Sequence, residues 1–361
     1  MARGRRHATS ICLAVAVAGL LGCVSGFDRN DQIVNSLRIL GVSTHVDDPQ
    51  MVTDWTDADV GDTVHLRALV ANPGGLSTVT VTWLACVPIP GQTQPCTDDA
   101  YLRDPRAVIP LADDPNTGVL KLGTGIDVDY VIPEDVRPLL QELIDRALAH
   151  VNAECALYTQ IPLLVIAEDT ATGAVFAAAK NMRLSPWKEI AQLGDPNLQY
   201  YPRNANPAIA GFNLSPSTLN ACDGEPLATP CVTGADCGDG GTCTNGACAG
   251  GTKAIPVPTF PDGSQVVCLN IVHEQDYYVC GLDGPQIDQP GDPPNIPEQA
   301  SVIWYMTGGS LSGFSAPSNG SDGSVSSRTF THFERPSAPF TIYGVARDRR
   351  DGEWWIAQDF Q

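Results

Sequence analysis

Residues 61–70 read GDTVHLRALV, and this stretch predicts a β-strand. Apolar side chains occupy the even positions from Val64 to Val70, while Thr63, His65 and Arg67 stand between them. This period of two is typical of a strand that buries one face. The Gly-Asp pair in front of it is a turn signal. The stretch therefore favours a sheet protein, and we expect the even positions to face its core.

The same stretch recurs later as GSQVVCLN at 263–270, and three further blocks recur in the same order. Four matches in one order predict an internal repeat. In the second copy we expect Val266, Cys268 and Val272 on the buried face, with Asn270 as an unexplained polar break. The paired blocks are 39–42 (ILGV) with 209–212 (IAGF), 61–68 with 263–270, 80–83 (TVTW) with 301–304 (SVIW), and 167–173 (AEDTATG) with 346–352 (ARDRRDG).

The spacing of the blocks gives the size of the repeated unit. The shorter interval of each pair, 42 residues before the tryptophan and 48 after it, leaves a common unit of about 90 residues. This is close to the ~100 residues of an immunoglobulin-like (Ig-like) sandwich, which the mid-chain tryptophan strand and the closing hairpin also resemble. Cys86 and Cys96 follow Trp83, so the antibody inter-sheet bridge is absent and the strand topology stays open. We predict an all-β chain of two tandem Ig-like β-sandwich domains, at 34–185 and 205–361, joined by a linker at 186–204.

The two units differ by insertions. In the first, 133–152 has apolar residues at i, i+3, i+4 and i+7 spacing, which predicts a helix that covers an open edge or end of the sandwich. A partner-binding helix is the alternative. In the second, the insertion at 220–252 contains CVTGADCGDGGTCTNGACAGG, which has almost no large apolar side chain. Such a segment cannot bury a core, so its order must come from cross-links.

Ten cysteines remain once Cys12 and Cys23 are set aside, and an even number in an exported chain predicts disulfides. The nine-residue loop between Cys86 and Cys96 favours that pair. Zinc is the weaker alternative, because no Cys-x2-Cys pair occurs and the histidines are scattered. The insertion resembles small Gly- and Asp-rich extracellular modules, which implies alternate pairing of 231 with 243 and of 237 with 248. The candidates are Cys86, Cys96, Cys155, Cys222, Cys231, Cys237, Cys243, Cys248, Cys268 and Cys280.

The first 22 residues have the pattern of a secretory signal peptide. Three arginines are followed by an apolar run, Ile11–Leu21, which is too short to span a membrane. Leu20-Leu21-Gly22-Cys23 resembles the lipobox of bacterial lipoproteins, which implies acylation of Cys23, cleavage before it, and a tether at 23–33. By the same resemblance, Val24 after the cysteine favours the outer membrane. The alternative is ordinary cleavage near 16–18, which would release a soluble protein.

Composition and motifs exclude several functions. The formal charge of −20 becomes −23 once the three leader arginines are lost, which excludes nucleic acid as a partner. No Gly-x-Ser-x-Gly, His-Glu-x-x-His or phosphate-cradling loop occurs, so no catalytic residue, metal or cofactor is predicted. The acidic run 54–62 (DWTDADVGD) would offer carboxylates to calcium, but it lacks EF-hand spacing, and acidic turns before strands are common. Trp355 would stack on sugar if Trp354 lies in the core.

Taken together, these features resemble surface lipoproteins of Gram-negative soil bacteria, which carry Ig-like units and have no assigned reaction. The resemblance implies a non-enzymatic protein held in the outer membrane by its N-terminal lipid, facing the periplasm or the cell surface, with a structural or binding role. An envelope protein or a glycan would be its partner. One alternative is an adhesin for carbohydrate or protein that uses Trp355 or the cysteine-rich insertion. A second is a divergent hydrolase with its site between the domains.

Overall fold

The computed structural model describes strands of both repeat units and leaves several segments undescribed, among them residues 1–31 and most of the predicted cysteine-rich insertion. The described residues are 32–46, 55–87, 96, 103–114, 116–149, 158–193, 203–215, 242–244, 247–249, 265–272, 276–277, 280–281, 284–285, 296–297, 300–312, 326–348 and 351–360.

The first unit is a sandwich of two sheets. One sheet has the order β1-β3-β6 and the other β2-β8-β7-β4-β5, with β2 parallel to β8 and the other neighbours antiparallel. The strands are β1 (Arg38–Val46), β2 (Asp57–Ala58), β3 (Thr63–Ala71), β4 (Val79–Cys86), β5 (Val119–Thr124), β6 (Asp127–Val131), β7 (Thr159–Asp169) and β8 (Val175–Leu184).

The second unit is a sandwich with the strand order of a constant-type Ig domain. The sheets β18-β19-β12-β9 and β17-β20-β21 correspond to strands D-E-B-A and C-F-G of that fold, which settles the topology that the sequence left open. The strands are β9 (Ala208–Ser215), β10 (Thr242–Thr244), β11 (Ala247–Ala249), β12 (Gln265–Val272), β13 (Asp276–Tyr277), β14 (Cys280–Gly281), β15 (Gly284–Pro285), β16 (Ile296–Pro297), β17 (Ser301–Met306), β18 (Ser310–Ser312), β19 (Ser326–Glu334), β20 (Phe340–Arg347) and β21 (Glu353–Phe360).

The repeat blocks occupy equivalent places in the two sandwiches. Where the first strand of each unit pairs with its neighbour, the register shifts by one residue, at Leu40 in ILGV and at Ala210 in IAGF. A bulge of this kind bends the strand locally. Trp83 and Trp304 lie on β4 and β17, and both are completely buried in their cores. The all-β assignment with two Ig-like sandwiches is therefore confirmed.

The core face of β12 differs from the predicted one by one residue. Val267, Leu269 and Ile271 pack in the second core, whereas Val266 and Cys268 form a separate buried cluster on the other face. The prediction was wrong because both faces of this strand are buried, so alternation does not identify which face points between the sheets. Position 270 then falls on the outer face, which removes the polar break.

The helix predicted at 133–152 is present. It begins with a 3₁₀ turn, Glu134–Val136, and continues as α1, Arg137–Ala149. Leu140 and Leu143 are buried in the first core, so the helix closes that sandwich. Two more 3₁₀ helices, Pro105–Ala107 and Ile109–Asp113, lie between β4 and β5.

Two segments predicted as tether and linker are packed against the sandwiches. Gln32 is 2% exposed and Ile33 pairs with Met306 of the second sandwich, so the body begins inside the predicted tether 23–33. Within the predicted linker 186–204, Trp187–Leu193 form a second helix, α2. It is ordered because its N-terminal turn binds the acidic segment before β3, as described below. Among the described residues, neither helix is long and apolar enough to cross a bilayer.

Candidate functional site

The two sandwiches share a third apolar core, which lies between the outer faces of one sheet from each. The first sandwich contributes residues of β1 and β3 that point away from its own core, and the second contributes residues of β17, β20 and β21. Its buried members are Val34, Leu40, Leu69, Ala71, Tyr305, Val345 and Trp355, with Ile303 and Tyr343 partly buried against them. Burial raises the pKa of Tyr343 to about 12, as expected where water is excluded. β1 is thus covered on both faces, and the sandwiches meet through a core of their own.

The predicted sugar-stacking role of Trp355 is excluded by its burial. Trp355 is 2% exposed and belongs to this shared core, so no ligand reaches its ring. Trp354 is partly buried against the second core, and its ring stacks on that of Trp355 at 5.7 Å between centroids. His45 lies edge-on to it at 6.0 Å between centroids, and the Arg67 guanidinium lies 5.7 Å from its ring. The sequence did not reveal that the outer face of this sheet is buried by a second domain.

A cleft of about 370 Å³ lies beside the shared core. One wall is the free edge of β1 at its bulge, and the opposite wall is the edge of β8. The hairpin that joins β20 to β21 reaches across from the second sandwich and closes one side. The lining residues are Ile39, Leu40, Gly41, Val42, Ala178, Ala179, Lys180, Asn181, Arg347, Asp351, Gly352 and Glu353.

Three charged side chains form the floor of this cleft. The Glu353 carboxylate is 5% exposed and lies 3.4 Å from Lys180 Nζ and 3.1 Å from Arg347 Nε. The Lys180 side chain is 8% exposed, so this pair is shielded from solvent. Val42 N donates to Glu353 Oε1 at 2.9 Å. Lys180 belongs to the first sandwich and the other two charges to the second, so the cluster joins the units electrostatically.

Side chains of the second sandwich also satisfy the open edge of β1. Arg347 Nη2 donates to the Leu40 carbonyl at 3.3 Å, and Asn206 Nδ2 donates to the Thr44 carbonyl at 3.1 Å. Glu353 N in turn donates to Asn206 Oδ1 at 2.7 Å. An edge strand normally exposes such groups to other chains. Here side chains of the second sandwich donate hydrogen bonds to the carbonyls of this edge.

Gly41 allows the close approach at this point. A Cβ on Gly41 would lie 2.8 Å from Glu353 Oε1 and 3.1 Å from Trp355 Cε3. The glycine of the ILGV block is therefore required by a contact between the sandwiches, a role that the repeat did not indicate.

The acidic run 54–62 contacts the predicted linker through each carboxylate that the structure describes. Asp57 pairs with buried Arg183 at 2.6 Å and accepts from Asn204 N at 3.0 Å. Asp59 accepts from Lys188 N at 3.0 Å, and Asp62 accepts from Trp187 Nε1 at 3.1 Å.

These hydrogen bonds place α2 and the following residues against the first sandwich. Burial raises the pKa of the Asp59 carboxyl, while its hydrogen bonds from backbone N–H groups oppose the shift. The Arg203 guanidinium stacks on Trp187 at 3.9 Å and on Trp55 at 4.8 Å. In the part of the chain that the structure describes, no three His, Cys, Asp or Glu side chains are grouped to hold a metal. Asp54 lies outside that part.

Three of the candidate cysteines have described side chains. Cys86 and Cys96 form a disulfide with an S–S distance of 2.06 Å, the pairing that their short loop favours. Cys268 is also disulfide-bonded. Cys243, Cys248 and Cys280 lie on described strands, but their side chains are not described. Outside the described residues lie Cys23, Cys155, Cys222, Cys231 and Cys237.

Comparison with known proteins gives structural likenesses only. No family model matches the chain, and no curated protein matches it. Among solved structures, it is similar to the fibronectin(III)-like modules of Clostridium thermocellum CbhA, with 8% identity over 88% of this chain and 92% of that chain, and a TM-score of 0.18. The chain is also similar to the C-terminal domain of the Streptococcus pyogenes antigen I/II-family protein AspA, with 7% identity over 90% of this chain and 99% of that chain, and a TM-score of 0.18.

A further similar structure is the β-glucuronidase of Parabacteroides merdae, with 8% identity over 88% of this chain and a TM-score of 0.17. The chain covers only 25% of that enzyme's length. At these TM-scores none of the likenesses carries an argument about function. The fold assigned above rests on strand order and register.

Proposed function

We propose that the protein is a lipid-anchored component of the outer membrane with a structural or binding role and no catalytic activity. The observation that carries the anchor is Leu20-Leu21-Gly22-Cys23, which follows a basic segment and an apolar run too short to span a bilayer. Three acyl chains on Cys23 would bury dozens of methylene groups at about 0.8 kcal/mol each, far more than one chain provides.

The architecture of the body supports a binding or structural role. Two sandwiches that share a core and an ionic cluster form one compact module on a single anchor. Glu353, which lies where a site between the domains would be, accepts a backbone N–H and faces two cations. Both oxygens of this carboxylate are therefore occupied by structural contacts.

Palmitate labelling in a Gram-negative host tests the anchor. We expect the wild-type chain to incorporate radioactive palmitate and to require detergent for release, and we expect Cys23→Ala to lose both properties. Cys12→Ala is the matched control, because Cys12 lies in the segment that is removed and should leave labelling unchanged. Equal labelling of wild type and Cys23→Ala, or release of unlabelled wild type without detergent, would contradict the anchor.

Protease treatment of intact cells then distinguishes the two sides of the membrane. A protein that faces outward is degraded, while one that faces the periplasm is protected until the outer membrane is permeabilised. Either result is compatible with the anchor, and the choice decides whether partners are sought in the periplasm or outside the cell.

A further inference from the structure

The cleft between the sandwiches contains more hydrogen-bond donors than acceptors. A lysine ammonium has three N–H donors and an arginine guanidinium has five. Among the described residues, the acceptors that Lys180 and Arg347 reach are the two oxygens of Glu353 and the carbonyl of Leu40. Glu353 also accepts from Val42 N. The carboxylate is therefore well supplied with donors, while the two cations retain donors for a ligand.

The charges of the cleft limit how much negative charge a ligand can bring. Lys180 and Arg347 carry two positive charges against the single negative charge of Glu353, in a chain whose formal charge is −20. Asp351 also lines the cleft, but its carboxylate accepts from Gln160 Nε2 at 2.9 Å and is partly exposed. Counted with Asp351, the four charged side chains that line the cleft sum to a formal charge of zero.

We propose that this cleft binds a small organic carboxylate, with the carboxylate group on Lys180 and Arg347. The unused N–H donors of the two cations match the oxygens of a carboxylate, and a monoanion adds less negative charge than dianionic phosphate to a cleft whose lining charges sum to zero. The volume of about 370 Å³ lies within the range of small-molecule sites. The ligand would contact β1 and β8 of the first sandwich and the β20–β21 hairpin of the second. This site goes beyond the proposed anchor, and its failure would leave the palmitate result unaffected.

Titration of the full chain in detergent tests the site with defined probes. We expect saturable binding of D-galacturonate by calorimetry, weaker binding of inorganic phosphate, and no binding of D-galactose, which matches the first sugar in ring but lacks the carboxylate. In amide NMR spectra, galacturonate should shift the signals of Gly41 and Gly352. Equal responses to galacturonate and galactose, no saturable response to galacturonate, or tighter binding of phosphate would overturn the proposal.

Variants of the two cations locate the site. Lys180→Met and Arg347→Gln should each weaken galacturonate binding by about tenfold or more, equivalent to about 1.4 kcal/mol. Arg106→Met is the control, because Arg106 pairs with Glu168 and the Gly173 carbonyl at the tip of the first sandwich's hairpin. Its affinity should stay within about twofold of wild type.

The thermal midpoint provides a second readout, because a ligand that binds the folded state raises it. At one ligand concentration, galacturonate should raise the midpoint of wild type and Arg106→Met more than that of Arg347→Gln. Arg347 is 35% exposed, so Arg347→Gln keeps the test available if Lys180→Met fails to fold. Unchanged affinity in either cation variant would overturn the assignment.

Discussion

The hairpin β7–β8 of the first sandwich and the hairpin β20–β21 of the second come from the same repeat block, yet their outer faces have different neighbours. In the first sandwich, Leu164 and Ile166 pack beneath the segment that joins β4 to β5, with Val108 and the Cys86–Cys96 disulfide. In the second, Val345 and Trp355 pack on the first sandwich.

The tips of the two hairpins differ in the same way. Asp169 accepts hydrogen bonds from Thr78 and Thr172 within its own unit. Asp348, at the matching position, accepts from Asn204 Nδ2 in the segment that joins the units. The strand order makes both units Ig-like, but the residues on the outer face decide whether a unit closes on itself or becomes half of a larger body. Apolar outer residues that an insertion does not cover require another domain.

Removal of the Trp355 ring should have the largest effect on stability, because this ring forms the contact that distinguishes the second hairpin from the first. Trp355→Ala should lower the free energy of unfolding by about 3–5 kcal/mol, because it empties a buried aromatic site between the sandwiches. Urea unfolding should change from one transition to two as the units lose their coupling. Phe176→Ala is the control from the corresponding strand of the first hairpin, where the ring is 36% exposed, and it should cost about 0.5 kcal/mol. A similar loss in both variants would contradict the shared core.

The close approach at Gly41 gives a smaller test of the same interface. Gly41→Ala should cost about 1–3 kcal/mol, because its Cβ would press on Glu353 and Trp355. Thermal and urea unfolding measure this loss. Gly74→Ala is the control, since its nearest neighbour is an Asn72 side-chain atom at 3.7 Å. If Gly41→Ala is as stable as Gly74→Ala, the sandwiches do not meet as described.

The smallest effect on stability is expected at the hairpin tips, and this effect depends on pH. The hydrogen bond from Thr78, together with those from Thr172 and Ala171 N, lowers the pKa of Asp169 to about 2. The unfolded value is about 3.9, so the stabilisation is complete above pH ~4 and is lost as the pH falls through 2. Asp169→Asn should be less stable than wild type at neutral pH and should lose less stability between pH 4 and 2. Urea midpoints across that range measure the slope, and an unchanged slope would contradict the assignment.

Asp348→Asn serves as the comparison at the second tip. It removes a group that binds the linking segment, so it should weaken the contact between the sandwiches and leave the Asp169 slope unchanged. Parallel pH series on the two variants therefore separate a bond within one unit from a bond between units.

The sequence predicted what depends on local periodicity. The repeat blocks located strands and both core tryptophans, and the i, i+3, i+4 pattern located α1. The sequence did not predict the features that depend on packing between the two domains. The pattern at 266–272 alternates on a strand that is buried on both faces, so the core face was assigned one residue out of register. Trp355 is apolar whether its partner is a sugar or a sheet, and the glycine at 41 gives no sign of the carboxylate that lies against it.

The contact of the N-terminal segment with the second sandwich has a mechanical consequence. Val34 N donates to the Met306 carbonyl at 2.7 Å, and Val34 is buried in the shared core. A pull on the chain at residue 32 is therefore resisted by strand β17 of the second sandwich as well as by β1. A pulling force is therefore shared by both sandwiches at residues 32–34, and is not transmitted first through one sandwich and then through the other.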